Sequence, residues 1–179
     1  TTTTHTKTHT HHIHIILHNN PKIPNPQNPI LHGGESPVPA MIATAQNLVN
    51  AGADVIIIGA NTAQYFYDHV VKGVSVPFLH IIDEAVKETE RRAPGIKKAG
   101  VLATTAAMQA HVYEKSCDKF GIEVMSLPGE LQELMQAAIF DHDFGFKYNG
   151  RTEKCVEAAK TVARHLIDNG AEALIMGCT

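Results

Sequence analysis

Gly52-Ala53-Asp54-Val55-Ile56-Ile57-Ile58-Gly59-Ala60-Asn61-Thr62 recurs in altered letters as Gly170-Ala171-Glu172-Ala173-Leu174-Ile175-Met176-Gly177-Cys178-Thr179. Each copy opens with Gly-Ala-acid, runs through four mostly branched apolar residues and breaks at a glycine. Each follows an amphipathic helical pattern: Met41, Ala45, Leu48 and Val49 before the first, Val156, Ala159, Val162, Ala163, Leu166 and Ile167 before the second. A short apolar run between a helix and a glycine turn predicts a buried parallel strand. Ligands in open α/β sheets gather beyond the carboxyl ends of such strands. The tips Ala60-Asn61-Thr62 and Cys178-Thr179 are therefore the first candidates for chemistry, and the register of the repeat sets Ala60 opposite Cys178.

The totals narrow the function class. A chain of 179 residues, 44% apolar and 18% charged, has the mix of a globular domain with a real core. A net charge of -3 gives no footprint for nucleic acid or an anionic membrane. No run of about 20 apolar residues predicts a transmembrane helix. Cys117, Cys155 and Cys178 are odd in number and lack CxxC spacing, which argues against a disulfide framework or zinc ribbon and favours a reducing cytosol.

In chain order, residues 1–12 form a Thr- and His-rich leader, read as solvated rather than metal-binding. His12–His18 reads as a strand. Residues 19–29, with Pro21, Pro24, Pro26 and Pro29, read as a surface loop that forbids helix. Ser36 is the expected N-cap of a helix with Pro37 at its first position, ending at Asn50. Strand Val55–Ile58 leads into a helix over Asn61–Val71, whose exposed amides suit a carboxylate. Strand Val76–Leu79 and helix Ile81–Arg92 complete a first half, residues 1–95. Pro94–Lys98 reads as a hinge. The second half, residues 96–179, holds a strand over Ala99–Ala103, a helix to Phe120, a strand over Ile122–Met125, a helix over Leu131–Phe140, an irregular loop over Asp141–Gly150, a helix over Thr152–Asp168 and the second repeat strand. The alternation predicts an α/β protein: two pseudo-symmetric Rossmann-like domains with mainly parallel sheets and an interdomain cleft.

Two such tips facing one cleft would touch a small molecule on opposite sides. A thiol on each could remove a proton from one face and return it on the other, with no cofactor or metal needed in principle. Asn61, Thr62, Thr104, Thr105 and Thr179 are candidate donors to a carboxylate, and Lys147 is a candidate charged partner. Cys117 and Cys155 lie in helical patterns and read as core; His80 and His142 read as structural histidines. Gln64 reads as helix surface or a neutral polar contact, and Tyr65, Phe66 and Tyr67 as packing.

Asn19-Asn20-Pro21-Lys22-Ile23-Pro24, Gly33-Gly34-Glu35-Ser36-Pro37, Ala60-Asn61-Thr62-Ala63, Gly100-Val101-Leu102-Ala103-Thr104-Thr105 and Gly177-Cys178-Thr179 together resemble the PLP-independent aspartate/glutamate racemase family from about Ile13 onward. The resemblance implies two Rossmann-like halves, an interdomain active site, a cytoplasmic homodimer, a small carboxylate or amino-acid substrate, no cofactor, and two cysteines as acid and base. It sets Cys178 on the second of these and Ala60 on the first, so proton transfer is expected to be weak, one-sided or absent. It sets Gln64 on a family histidine and Lys147 on the family's loop lysine. Ile23-Pro24-Asn25-Pro26-Gln27 replaces an Ile-Pro-Asp-Arg-Thr loop, removing the arginine that would grip a side-chain carboxylate. Relative to the family the chain reads as truncated at both ends. Two further readings stand beside racemisation: a single-cysteine decarboxylase resembling arylmalonate decarboxylase, and a non-catalytic carboxylate-binding homologue.

Overall fold

A computed structural model describes residues 12–178. The Thr/His leader up to residue 11 and Thr179 lie outside the described residues. In chain order the elements are α1 (Gln27–His32), α2 (Val38–Asn50), β1 (Ile56–Ile57), a 3₁₀ turn (Thr62–Phe66), α3 (Tyr67–Val70), a second 3₁₀ turn (Val71–Gly73), β2 (Phe78–Leu79) and α4 (Ile81–Arg92). Then come β3 (Lys98–Leu102), α5 (Thr105–Gln109), α6 (Glu114–Asp118), β4 (Glu123–Met125), α7 (Gly129–Phe140), α8 (Phe146–Asn149), α9 (Glu153–Asp168) and β5 (Ala173–Met176). β1 and β2 pair in parallel; β4, β3 and β5 form a second parallel sheet in that order. This is the predicted α/β class.

The sequence repeat is a structural repeat. α2 and α9 both end with a left-handed glycine, Gly52 at φ 93° and Gly170 at φ 98°. Ala53 N–H donates to Leu48 O and Gly52 N–H to Val49 O; Ala171 N–H donates to Leu166 O and Gly170 N–H to Ile167 O. Each pair closes the helix in a Schellman motif and turns the chain into the following strand. The acid of the second copy has its own role: the Glu172 carboxylate accepts the backbone N–H groups of Lys97 and Lys98 at the start of β3, which holds it below its usual range.

The core lies around the second sheet. Ile82, Val86, Val101, Ala103, Tyr113 and Ile175 share one buried cluster; Leu102, Met135, Ile139, Val162 and Leu166 form another on the opposite side. α4 precedes the predicted hinge at Pro94–Lys98, yet its apolar face packs into the second sheet's core. A smaller cluster of Met41, Ala63, Phe66 and Val70 supports the first sheet.

Several expectations are corrected. His12–His18 pairs with no strand among the described residues, and Ile13, Ile15 and Leu17 point into solvent. The proline stretch does contain a helix, α1. Pro29 stands in its first turn, where the missing N–H would have had no intrahelical partner. α2 starts one residue later than expected, with Pro37 at the N-cap. The expected helix after β1 is mainly 3₁₀. The expected helix after Thr104-Thr105, running to Phe120, breaks after Gln109, with His111 left-handed at φ 51°. The loop over Asp141–Gly150 contains α8. The repeat strands are not buried on both faces: Ile56 is buried beside Ile57 at 57% exposure, and Ile175 beside Met176 at 71%.

Candidate active site

The carboxyl ends of β1, β3 and β5 open on one cavity of about 390 Å³. Ala60, Asn61 and Thr62 supply one lip, Gly177 and Cys178 another, and Thr104 the floor between them. Lys147 and Tyr148 of α8 and Asn25-Pro26-Gln27 at the start of α1 close the rim. The two tips that the repeat sets in register thus border the same space. Thr105 is not part of the lining; its N–H donates to Gln136 Oε1 at 2.9 Å. Thr179 lies outside the described residues.

The walls are held by polar contacts across the two sheets. The buried hydroxyls of Thr62 and Thr104 meet at 3.1 Å, and Thr104 Oγ1 also accepts Ala107 N–H, capping α5. Gln64 is not helix surface. It is 5% exposed, and its Nε2 donates to Ile58 O at 2.9 Å and Ala60 O at 3.4 Å, pinning the backbone on either side of Gly59.

One residue that holds the tips together carried no sequence signal as a site residue. Tyr113 is 1% exposed, and its hydroxyl sits 3.0 Å from Asn61 Oδ1 and 3.1 Å from the Gly177 carbonyl oxygen. Burial, with Cys178 and Cys117 nearby, pushes its phenol far up, so it stays neutral. A Cβ on Gly177 would lie 2.5 Å from that hydroxyl. The glycine before Cys178 therefore makes room for the ring. Gly59, its counterpart in the repeat, faces open space. A tyrosine within a predicted helix looks like ordinary packing; the break after Gln109 is what delivers it to the tips.

The cysteines differ in environment. Cys117 is buried, and desolvation, with Glu114 and Asp118 adding to it, pushes its thiol up to about 11. Cys155 is also buried and serves α9: its Sγ accepts Thr152 N–H at 3.2 Å while its own N–H donates to Thr152 Oγ1 at 3.1 Å, a capping box built with sulfur. Cys178 alone of the three borders the cavity. Partial burial pushes its thiol up, and the Lys147 ammonium pulls it back down. The net effect leaves it above its usual value.

The remaining candidates are structural. His80 caps α4, its Nδ1 accepting Asp83 N–H at 3.2 Å, and His142 stacks on Tyr148 with ring centroids 4.3 Å apart. A second concavity of about 340 Å³ contains His80, Asp68, Asp83, Lys115, Lys119 and His111. Its charges largely answer one another, with Lys115 to Asp68 at 3.0 Å and Lys119 to Asp83 at 2.8 Å. It reads as a surface seam of paired charges. Among the described residues no group of three or more His, Cys, Asp or Glu could hold a metal, and no helix is long and apolar enough to cross a membrane.

Known proteins resemble this chain in sequence and fold. A broad specificity amino-acid racemase from Bacillus subtilis is 38% identical over 86 residues, 48% of this chain and 37% of that protein. A glutamate racemase from Aquifex pyrophilus is 28% identical over 134 residues, 74% of this chain and 48% of that protein. The chain thus matches less than half the length of either relative. The structure of an aspartate racemase from Picrophilus torridus superposes with a TM-score of 0.80 at 24% identity, covering 97% of this chain and 69% of that one, and shows the same fold. An aspartate racemase homologue from Pyrococcus horikoshii OT3 gives a TM-score of 0.66 at 28% identity, over 84% of this chain and 66% of that one. The family model for Asp/Glu/hydantoin racemases matches residues 1–179, and the chain belongs to that family.

Proposed function

We propose that the strand-tip cavity binds a small amino acid or related carboxylate and that Cys178 exchanges a proton with its α-carbon, without PLP. The supporting observation is that Cys178 and Ala60 border one cavity of about 390 Å³ with Lys147 on its rim. The Cys178 thiolate takes the α-proton, and Lys147 with the hydroxyl groups of Thr62 and Thr104 holds the carboxylate as negative charge develops. The same thiol then returns a proton to the same face. Inversion needs a donor on the other face, where Ala60 offers only a methyl group. Exchange with retention is therefore expected to exceed racemisation. The test is α-deuterium incorporation from D₂O into a panel of acidic and neutral amino acids. Exchange in the native protein that vanishes in Cys178→Ser supports the reading; unchanged exchange in Cys178→Ser removes the thiol from it.

The lone thiol also favours a second reading, a decarboxylase. A disubstituted malonate would lose CO2, and the resulting carbanion would take the proton of the Cys178 S–H. Measured CO2 release from such a malonate, without α-exchange of amino acids, selects it. Ligand binding with neither reaction selects a non-catalytic carboxylate-binding role. A homodimer in the cytosol belongs to the same proposal, with light scattering as the check on assembly.

A further inference from the structure

The two contacts of the Tyr113 hydroxyl impose a condition on Asn61. A phenol carries one proton and can donate once. The Gly177 carbonyl can only accept. With Oδ1 of Asn61 toward the hydroxyl, two acceptors at 3.0 and 3.1 Å compete for that proton, and one contact of a buried phenol is wasted. An asparagine amide carries a donor and an acceptor at nearly equivalent positions. A half-turn about its χ2 brings Nδ2 to the hydroxyl. The chain then runs Asn61 Nδ2–H to Tyr113 Oη–H to Gly177 O, and both contacts become hydrogen bonds.

We infer that Tyr113 is a positioning residue that holds the Asn61 amide with Nδ2 inward and Oδ1 toward the cavity, so that the first tip offers an acceptor suited to the ammonium group of an amino acid. Asn61 lines the cavity, and Tyr113 lies behind it. The Asn61 side chain has no capping bond to the following turn that would set its orientation otherwise. The assignment reverses the expectation that Asn61 donates to a carboxylate, leaving that task to Lys147 and the threonine hydroxyls. The same relay grips the carbonyl of Gly177, which fixes the peptide leading to Cys178, and so ties both tips to one buried group. The ligand half of this inference rests on the proposed amino-acid site; the orientation half does not.

Two measurements test it separately. Neutron diffraction from deuterated crystals of the unliganded protein is expected to show two deuterons on the Asn61 atom facing Tyr113. None there overturns the inference, whatever the protein binds. Calorimetry then compares glutamate with glutarate and aspartate with succinate, pairs that differ by the ammonium group. The native protein is expected to prefer the amino acid of a pair. Tyr113→Phe, which frees the amide to turn, is expected to narrow that preference by about tenfold, the scale of one hydrogen bond to a charged group. A purely structural loss would weaken both members of a pair equally and leave the ratio unchanged, which refutes the positioning role. Equal binding of glutamate and glutarate, and of aspartate and succinate, by the native protein refutes the ammonium assignment. Inward deuterons with no binding of any of the four compounds uphold the orientation and sink the amino-acid site instead.

Discussion

Gly59 and Gly177 occupy the same place in the repeat, yet alanine should affect them very differently. At Gly177 the new Cβ would meet Tyr113 Oη at 2.5 Å, Ala103 Cβ at 2.9 Å and Tyr113 Cζ at 3.0 Å. None of these atoms is the loose end of a flexible side chain; the ring and Ala103 are both buried in the core. Overpacking of this kind costs about 1–3 kcal/mol. Displacing the phenol also strains its two buried hydrogen bonds, at about 1–3 kcal/mol for a polar group left unsatisfied. The two costs overlap, so Gly177→Ala should lose about 2–4 kcal/mol, lowering Tm by roughly 5–15 °C for a chain of this size. At Gly59 an added Cβ would meet no atom within 4 Å beyond its chain neighbours, and φ is not left-handed. Gly59→Ala should therefore be neutral, or stabilise by about 0.4–1 kcal/mol through the unfolded chain. Thermal and urea unfolding measure both variants. A double-mutant cycle sharpens the test, because Tyr113→Phe deletes the atom at the shortest contact. Gly177→Ala combined with Tyr113→Phe should be less damaging than the sum of the two by about 1 kcal/mol. Equal losses at Gly59 and Gly177, or strict additivity in the cycle, would refute the claim that the ring requires the glycine.

Ala60→Cys should raise racemisation relative to α-exchange, since it restores a proton donor on the second face; chiral chromatography of the product reads the ratio, and no change counts against two facing tips. Lys147→Met should shift the rising limb of the exchange rate to higher pH. The ammonium pulls the Cys178 thiol down against the effect of burial, so without it less thiolate exists at a given pH. Lys119→Met should cost about 0.5–1 kcal/mol near neutral pH, the scale of a partly exposed ion pair. Burial pushes the Asp83 carboxyl up, but the Lys119 and Ser116 contacts outweigh it and hold it below its usual value. A depressed folded value gives stability that is present above the unfolded carboxylate pKa and lost as pH falls through the folded one. The gap between native and variant midpoints should therefore close in acid, and a gap that persists there assigns the loss to packing.

The parts of the site that were legible in sequence are those encoded by local chemistry. Ala60, Asn61, Thr62 and Cys178 follow glycine breaks after apolar runs, and Thr104 follows another strand end; the structure sets all of them around one cavity. α4 and α9 were legible because their charged and apolar faces alternate with helical period and end at strong stops. His12–His18 shows where pattern fails. Its alternation matches a strand, but a strand needs a paired edge, and none faces it among the described residues. Thr105 failed for a different reason. It shares its pattern with Thr104, and only the position of Gln136 decides which of the two borders the cavity.

From sequence alone came the repeat, the parallel α/β class, the family resemblance and the expectation that Ala60 and Cys178 share one site, because each depends on residue type and spacing along the chain. Tertiary structure alone decided that Gln64 braces the first tip, that a Cβ at position 177 would collide with Tyr113 while one at position 59 would meet open space, and that one tyrosine hydroxyl contacts both tips of the site. The tyrosine contacts depend on which atoms meet across 52 and 64 residues of sequence, and the Gln64 brace on how the chain turns back over its own strand tip; no local pattern of charge or hydrophobicity records either meeting.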